Sequence, residues 1–257
     1  MDFLDKIEKW QSQARKIEPP HDREKARGGL KGPAFFPEGR GLLNPEKWLG
    51  VERPRIMVIG HNFGCVGYRN RLDPDEVKRK ENGREDDEDT WKHLASLLDE
   101  AKMTIGQQKV SIDDCFMTNW FVGLLPGKKN TGPFLVPGWP GEKEYEAECF
   151  DLLKQQIEEI QPRLILLMGK VVVLRASQLI PALKCWTWKT KTEPRWASIR
   201  SVRENVTIMS LKYNPIVVAG LWHTSHTDGL ENNLEVLELA EKKVASRRRI
   251  STTLPLP

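Results

Sequence analysis

The hydrophobic pattern of this chain alternates between short apolar runs and longer stretches with helical spacing. Each short run is mainly apolar and ends at a small or polar residue or a tryptophan, which predicts a buried strand that opens into a loop. The predicted strands are residues 55–60, 115–119, 164–169 and 216–222. The predicted helices are residues 91–101, 142–160, 171–180 and 232–244. This alternation predicts a single α/β domain with a central four-stranded, mainly parallel sheet, flanked by helices on both faces through right-handed crossovers.

The two ends of the chain depart from this central pattern. A stripe of apolar residues spaced by four and three positions predicts an N-terminal amphipathic helix that packs on the core. These residues are Phe3, Ile7, Trp10, Ala14 and Ile17. We therefore divide the chain into an N-terminal helix with an irregular wrapping segment (1–50), the α/β domain (51–246) and a basic tail (247–257) that we expect to be disordered.

The charge of the chain is unevenly distributed. The net charge is +4 over 257 residues. Residues 73–100 carry eleven acidic and five basic side chains, a net charge of −6, so the remainder carries +10. A basic remainder suits binding to a polyanion such as DNA, with the acidic stretch pointing away. Because no apolar run approaches the ~20 residues of a membrane span, and the first residues lack the pattern of a signal peptide, we expect a cytoplasmic protein that does not bind membranes.

The cysteines argue against a metal centre. The four cysteines lie far apart, with no C-x-x-C pair. They are Cys65, Cys115, Cys149 and Cys185. We interpret them as small buried hydrophobic residues and expect no metal and no organic cofactor.

Polar side chains follow three of the four predicted strands. They occur in residues 60–67, 119–121 and 223–226, whereas Gly169-Lys170 follows the remaining strand. In open α/β sheets, ligands bind beyond the carboxyl ends of the strands. The sequence therefore predicts an active site at this edge of the sheet.

Several of these strand ends resemble one known family. Residues 60–64, with the sequence G-H-N-F-G, are similar to the G-x-N-P-G water-activating motif of the mismatch-specific and single-strand-selective branches of the uracil-DNA glycosylase superfamily. Residues 223–225, H-T-S, resemble the H-P-S motif of that family, and Asn119 stands where the family places a base-reading asparagine. Residues 162–170 resemble its third strand and the turn into a helix. The resemblance covers residues 55 to 244 and implies a three-layer sandwich.

The resemblance also implies roles for individual residues. Cleavage of an N-glycosidic bond builds positive charge on the sugar and negative charge on the departing base. Asn62 would orient the attacking water through its amide oxygen, and a neutral His223 would donate a hydrogen bond to the base carbonyl. Asn119 would bind the Watson–Crick edge of the extruded base. Each residue also has an ordinary structural interpretation: Asn62 as a turn former, Asn119 as a loop cap and His223 as a structural histidine.

The remaining candidate residues surround these three. His61, Phe63, Val66 and Tyr68 are expected to line the base pocket. Gly64, Lys128, Lys129, Lys170, Ser225 and His226 are expected to contact the DNA backbone. Ser225 has a structural alternative as the cap of the following helix.

The chain departs from the family motifs at four positions. Phe63 and Thr224 replace the prolines of the two motifs, and Thr227 stands where a bulky wedge residue is usual, so base extrusion is expected to use His226 or Leu230. Val66 stands where relatives place an aromatic ring against C5 of uracil, unless Tyr68 substitutes for it. A pocket without that ring admits a base with a large C5 substituent.

Two basic segments have open interpretations. The spacing around Lys128 and Lys129 is one residue short of the phosphate-loop motif G-x-x-x-x-G-K, and the loop either contacts DNA or is an ordinary surface loop. Trp186, Trp188 and Trp196 alternate with basic residues, which suits stacking on bases or a hairpin with a tryptophan face packed on the core.

The function expected from these residues is that of a monofunctional DNA glycosylase. It would act as a monomer on single- or double-stranded DNA, excise a damaged or modified pyrimidine with an activated water, and leave an abasic site. The base would be uracil or a bulky modified cytosine of phage DNA, in repair or in anti-phage defence. The alternative is a non-catalytic DNA- or nucleotide-binding protein with the same fold. An α/β-hydrolase is disfavoured because the chain lacks G-x-S-x-G.

Overall fold

Five helices and seven strands occur in the part of the chain that the computed structural model describes. The described residues are 2–20, 23–26, 35–48, 54–62, 64, 89–105, 107–126, 134–135, 138–186, 206–211, 214–222 and 230–251. The helices are α1 (Phe3–Ala14), α2 (Asp89–Glu100), α3 (Glu142–Ile160), α4 (Lys170–Leu179) and α5 (Leu230–Ser251). The strands are β1 (Ile56–Gly60), β2 (Thr104–Ile105), β3 (Gln108–Lys109), β4 (Cys115–Asn119), β5 (Leu164–Met168), β6 (Val206–Leu211) and β7 (Asn214–Leu221).

The main sheet has five strands in the order β4-β1-β5-β7-β6. β5 and β7 pair in parallel, from Leu164 opposite Val217 to Met168 opposite Leu221, and β6 pairs antiparallel to β7. Every residue of β1, β4 and β5 is buried, as expected of strands with both faces covered. The predicted α/β fold with a mainly parallel sheet flanked by helices is confirmed.

The number of strands in the main sheet and the start of the C-terminal tail differ from the sequence prediction. The sheet has five strands rather than four, because β6 (V-T-I-M-S-L) mixes apolar and polar residues and does not form the continuous apolar run that identified the others. Helix α5 continues to Ser251, so the tail predicted to be disordered from residue 247 begins as helix. Residues 252–257 lie outside the described part of the chain.

The strand order places β1 beside the topological switch point of the sheet. From β1 the chain moves to β4 on one side and then crosses back to β5 on the other. Open α/β sheets bind their ligands beyond the carboxyl ends of the strands at such a reversal. The loop that follows β1, which carries Asn62, therefore begins where this fold most often places a ligand.

By the density of internal contacts, the domain divides into two compact units. The first comprises Met1–Arg53, Ile59–Asp86 and Phe116–Ile160, and so holds α1, α3, the end of β1 and nearly all of β4. The second comprises Pro54–Val58, Asp87–Cys115 and Gln161–Pro257, and so holds β5, β6, β7 and the other helices.

The N-terminal part of the first unit is attached to its core as predicted. All five residues of the apolar stripe of α1 and its extension are buried. Gln11 is 8% exposed, and its Nε2 donates to the carbonyl oxygens of Pro37 and Gly39, at 3.2 and 3.0 Å. These bonds tie α1 to residues 35–41, which we call the β4-edge segment.

The β4-edge segment lies along strand β4. The Phe36 amide donates to the Met117 carbonyl at 3.0 Å, and the Met117 amide donates to the Gly41 carbonyl at 2.7 Å. Gly41 has a φ of +67°, and a Cβ there would lie 2.3 Å from the Met117 carbonyl oxygen. Only glycine fits this approach, so Gly41 fixes how closely the segment follows β4.

An ion pair in the second unit anchors the start of β1. Arg55 Nη2 lies 2.6 Å from Asp114 Oδ1, and the side chains are only 18% and 6% exposed. Arg55 Nη1 also donates to Gln108 Oε1 at 2.7 Å, and Asp114 Oδ2 accepts from the Ser111 amide at 2.9 Å. The pair thus joins the residue before β1 to the residue before β4.

We expect Asp114→Asn to lower the free energy of unfolding by about 2 kcal/mol, because Arg55 would keep its charge in a largely buried place without a counter-charge. Urea unfolding measures this change. The matched control is Asp99→Asn, which removes the exposed Lys109–Asp99 pair, whose side chains are 64% and 66% exposed, and should change stability by less than ~0.5 kcal/mol. Equal losses for both variants would contradict the anchoring role of Asp114.

Candidate active site at the carboxyl ends of β1 and β4

The loop after β1 is held against the chain that follows β4. The Trp120 amide donates to the Gly60 carbonyl at 2.8 Å, and the Phe121 amide donates to the His61 carbonyl at 3.0 Å. Farther along, the Leu125 amide donates to the Gly64 carbonyl at 2.8 Å. Backbone pairing therefore continues past the ends of both strands and holds Asn62 from each side.

Asn62 uses one edge of its amide to shape this loop. It is half-buried, and its Nδ2 donates to the Gly64 carbonyl at 3.0 Å. Gly64 is buried with a φ of +122°, a conformation that favours glycine. In the part of the chain that the structure describes, Asn62 Oδ1 takes no hydrogen bond. The bond from Nδ2 to Gly64 is the kind of contact by which an asparagine stabilises a turn. Oδ1 can still accept a hydrogen bond, which is what orienting a water molecule requires.

Asn119 is the second asparagine of the site, and it is 3% exposed at the end of β4. Its Nδ2 donates to the Phe36 carbonyl at 3.0 Å, which fixes the plane of the amide. Within the described ranges its Oδ1 takes no hydrogen bond. Because the amide nitrogen carries two hydrogens, Asn119 retains one donor and one acceptor for a ligand.

Gly60 allows Asn119 to approach β1 closely. A Cβ at Gly60 would lie 2.8 Å from Asn119 Oδ1, closer than any side-chain carbon tolerates. The same Cβ would lie 3.3 and 3.6 Å from two carbons of the Phe35 ring. The asparagine amide and the phenylalanine ring therefore both pack against this one glycine.

Phe35 also belongs to this candidate site, although the sequence pattern did not predict it. It is 8% exposed and begins the β4-edge segment, in a stretch that was predicted only to wrap the domain. Two consecutive phenylalanines in a polar, glycine-rich stretch were the available signal. Nothing local to that stretch shows where it docks, because its path depends on hydrogen bonds to β4.

His61 lies at the edge of a stack of aromatic rings. Its ring centroid is 5.4 Å from that of Phe121, at an interplanar angle of 78°. Phe121 stacks on Phe134 at 5.1 Å, and Phe134 lies 5.9 Å from Tyr145. A Cβ at Gly123 would lie 2.6 Å from the Phe134 ring, so glycine is required there. The stack fixes the His61 ring next to Asn62 in the chain.

Tyr145, a member of this stack, and its neighbour Cys149 are both protonated packing residues. Burial raises the pKa of Tyr145 well above its usual value, and the backbone amides of Val122 and Gly123 counteract this only in part. Burial also raises the pKa of Cys149 to about 12. Both groups are protonated at neutral pH, so Cys149 lacks the thiolate that a nucleophile needs.

The structure describes some of the other predicted site residues and not the rest. Gly64 is held to Leu125 as described above, and Lys170 is the exposed first residue of α4, after Gly169 with a φ of +86°. The predicted site residues Phe63, Val66, Tyr68, Lys128, Lys129, His223, Ser225 and His226 lie outside the described residues. Trp186 ends a 3₁₀-helix (Pro181–Trp186), and Trp188 and Trp196 also lie outside.

Cys115 and Cys149 are free thiols and are buried, as predicted. Over the described ranges, no three histidine, cysteine or acidic side chains are grouped so as to hold a metal ion. None of the helices in those ranges has the length and hydropathy needed to cross a bilayer.

A scan against protein-family models gave no match, and a search of the curated proteins gave none either. The geometry of Asn62, Asn119 and Phe35 is therefore what distinguishes this candidate site.

Proposed function

We propose that this chain is a monofunctional DNA glycosylase, which extrudes a pyrimidine from DNA, hydrolyses its N-glycosidic bond and leaves an abasic site. The observation that carries this proposal is the pair of asparagine amides at the carboxyl ends of β1 and β4. Each donates one hydrogen to a backbone carbonyl, and each amide oxygen takes no hydrogen bond among the described residues. Fixed amides with available oxygens can bind a ligand without first paying the entropy of being ordered.

Asn119 and Phe35 together suit a flat heterocycle. An amide with one donor and one acceptor matches the Watson–Crick edge of a pyrimidine, and an aromatic ring against the same glycine supplies a stacking surface. The two groups differ in chemistry, so a base satisfies them better than a phosphate or a purely apolar ligand does.

Asn62 is proposed to orient the water molecule that attacks the sugar. Since the glycosidic bond breaks with oxocarbenium character, water needs correct placement more than strong activation. The Oδ1 atom of Asn62 accepts one water hydrogen and thereby directs an oxygen lone pair. His223 keeps the role that the family resemblance implies, donation to the base carbonyl as negative charge develops.

The substrate class is a damaged or modified pyrimidine. Uracil is the base of the family that the chain resembles, and the small Val66 together with the altered first motif leaves room for a bulky modified cytosine such as phage genomes carry. The first substrate corresponds to repair and the second to anti-phage defence. The proposed partner is DNA, bound by a monomer.

Base release tests the proposal directly. The protein is incubated with single- and double-stranded DNA containing uracil, mismatched thymine or glucosylated hydroxymethylcytosine, and alkali then cleaves any abasic sites. We expect strand cleavage with at least one modified base and none with unmodified cytosine. Base-selective binding without cleavage would instead establish the non-catalytic binding protein with the same site.

A Phe35→Leu variant tests the stacking surface. We expect kcat/KM for excision to fall about tenfold, because base–aromatic stacking contributes roughly 1–3 kcal/mol and leucine retains much of the packing volume. The control is Phe3→Leu, another buried phenylalanine of the first unit, on α1. Equal kcat/KM values for the two variants, at equal urea midpoints, would remove Phe35 from the site.

A further inference from the structure

Gln11 is a polar residue on the buried face of α1. It follows Ile7 by four positions and precedes Ala14 by three, so it lies on the helix face that packs on the core. A buried amide is costly unless it is hydrogen-bonded, and an apolar residue would satisfy the pattern of this face without that requirement. The contacts of Gln11 must therefore explain its place in the helix.

The amide nitrogen of Gln11 donates twice to the β4-edge segment. The acceptors are the carbonyl oxygens of Pro37 and Gly39, at 3.2 and 3.0 Å. These acceptors belong to a turn, which the Gly39 amide closes by donating to the Phe35 carbonyl at 3.1 Å. Residues 35–39 are all buried. One side chain of α1 thus holds this turn at two points.

The same turn presents a hydrogen-bond acceptor to the candidate site. The Phe36 carbonyl accepts from Asn119 Nδ2 at 3.0 Å, and this bond fixes the plane of the Asn119 amide. The Phe36 carbonyl and the Pro37 carbonyl are consecutive along the chain. Because the proline ring fixes φ of Pro37, only one free backbone dihedral separates the two carbonyl groups. A bond that holds the Pro37 carbonyl therefore restrains the Phe36 carbonyl as well.

The other contacts of the turn leave this restraint to Gln11. Strand β4 pairs with the segment at Phe36 and Gly41, through the two polar backbone groups of Met117, and the residues bound by Gln11 lie between those points. The Phe36 ring packs 6.1 Å from the Phe116 ring in the core. Apolar packing is non-directional, whereas a hydrogen bond weakens steeply when its angle changes. Gln11 therefore supplies directional bonds between the two points of attachment to β4.

We propose that Gln11 is a positioning residue that sets the orientation of the Asn119 amide. The restraint passes from Gln11 to the Pro37 carbonyl, from there to the Phe36 carbonyl, and from there to Asn119 Nδ2. Helix α1, which the sequence predicts only to pack on the core, thereby supports the base-reading group. This inference rests on the proposed function for the task of Asn119, whereas the contacts of Gln11 are independent of it.

The first test does not depend on catalysis. Nitrogen-15 NMR follows the side-chain amide signals of Asn119, which are assigned by their disappearance in Asn119→Ala. Gln11→Met keeps an unbranched side chain with good helix propensity and removes both donors, so we expect it to shift or broaden these signals. The matched control is Gln13→Met, the same change at a half-buried position of the same helix.

Unchanged Asn119 signals in Gln11→Met would overturn the proposal, and so would an equal change in Gln13→Met. Gln11→Asn keeps an amide but draws it back by one methylene group from both carbonyls. It serves if the methionine variant does not fold, and the same shift of the Asn119 signals is expected.

The second test is a double-mutant cycle in single-turnover excision. A misplacement of about 1 Å lowers rates by ~100-fold, so Gln11→Met should slow cleavage about tenfold or more. Affinity for unmodified DNA should stay unchanged, because Gln11 acts on the group that reads the extruded base. In the Asn119→Ala background the fold-loss should be much smaller, since the amide that Gln11 orients is absent.

An equal fold-loss in the two backgrounds would show that Gln11 acts independently of Asn119 and would overturn the proposal. If the wild type excises no base, the proposed function fails, and the NMR result alone decides the role of Gln11.

Discussion

Asn62→Ala is expected to lower the single-turnover rate of base excision by about 100-fold or more. A group that orients the attacking water acts mainly in the transition state, and the loss of one such contact costs this much in well-studied enzymes. The amide oxygen of Asn62, which takes no hydrogen bond within the described residues, is the atom to which the loss is assigned. Quenched-flow or manual single-turnover cleavage of the best substrate measures it.

The same variant also removes the bond from Asn62 Nδ2 to the Gly64 carbonyl, so the turn-forming role needs a separate readout. If Asn62 only shapes the loop, the variant should lose stability and DNA affinity along with rate. If it holds the water, affinity and the urea midpoint should change little while the rate falls. Asn44→Ala, at another half-buried loop asparagine, is the matched control. A cleavage rate within a few-fold of wild type would exclude Asn62 from the mechanism.

The elements that could be predicted from sequence are those whose signal is local. β4 was predicted with its observed bounds, and β1 and β5 to within one residue, because a strand buried on both faces is an apolar run that ends where burial ends. Helix α3 begins and ends as predicted, at Glu142 and Ile160. Strand β6 was missed because a strand with mixed residues resembles a surface segment until its partner is known.

The residues of the candidate site also differ in whether the sequence near them could identify them. Asn62 and Asn119 could be named as candidates because they lie at or just after the end of a strand, and strand ends are visible in the sequence. Phe35 was not found, since hydrogen bonds of the β4-edge segment to Met117 bring it to Gly60 from a distant part of the chain. The periodic pattern predicts that Asn233 lies in a helix, but its hydrogen bonds with the backbone of Trp222 depend on tertiary packing. Contacts of this non-local kind become visible only in the folded chain.

Val66→Phe is expected to reduce excision of bulky C5-substituted pyrimidines by about 100-fold while sparing any activity on uracil. Under the proposed function, the resemblance to the uracil-DNA glycosylase superfamily implies that residue 66 faces C5 of the base. Inserting a phenyl ring into a close-packed pocket costs ~1–3 kcal/mol in strain, and more when a sugar-sized substituent must occupy the same space. The ratio of kcat/KM for glucosylated hydroxymethylcytosine to that for uracil, measured in duplexes of identical flanking sequence, is the quantity that should change.

Val66→Ala is the matched control, because it removes volume at the same position and should leave that ratio within a few-fold of wild type. Two results would contradict the prediction for Val66→Phe, and each has a different meaning. Loss of uracil excision with the bulky base still removed would show that the side chain at position 66 limits the small base rather than the large one. Equal loss of both activities would show that Val66 supports the loop that carries Asn62, since a shifted water-orienting group slows every substrate alike.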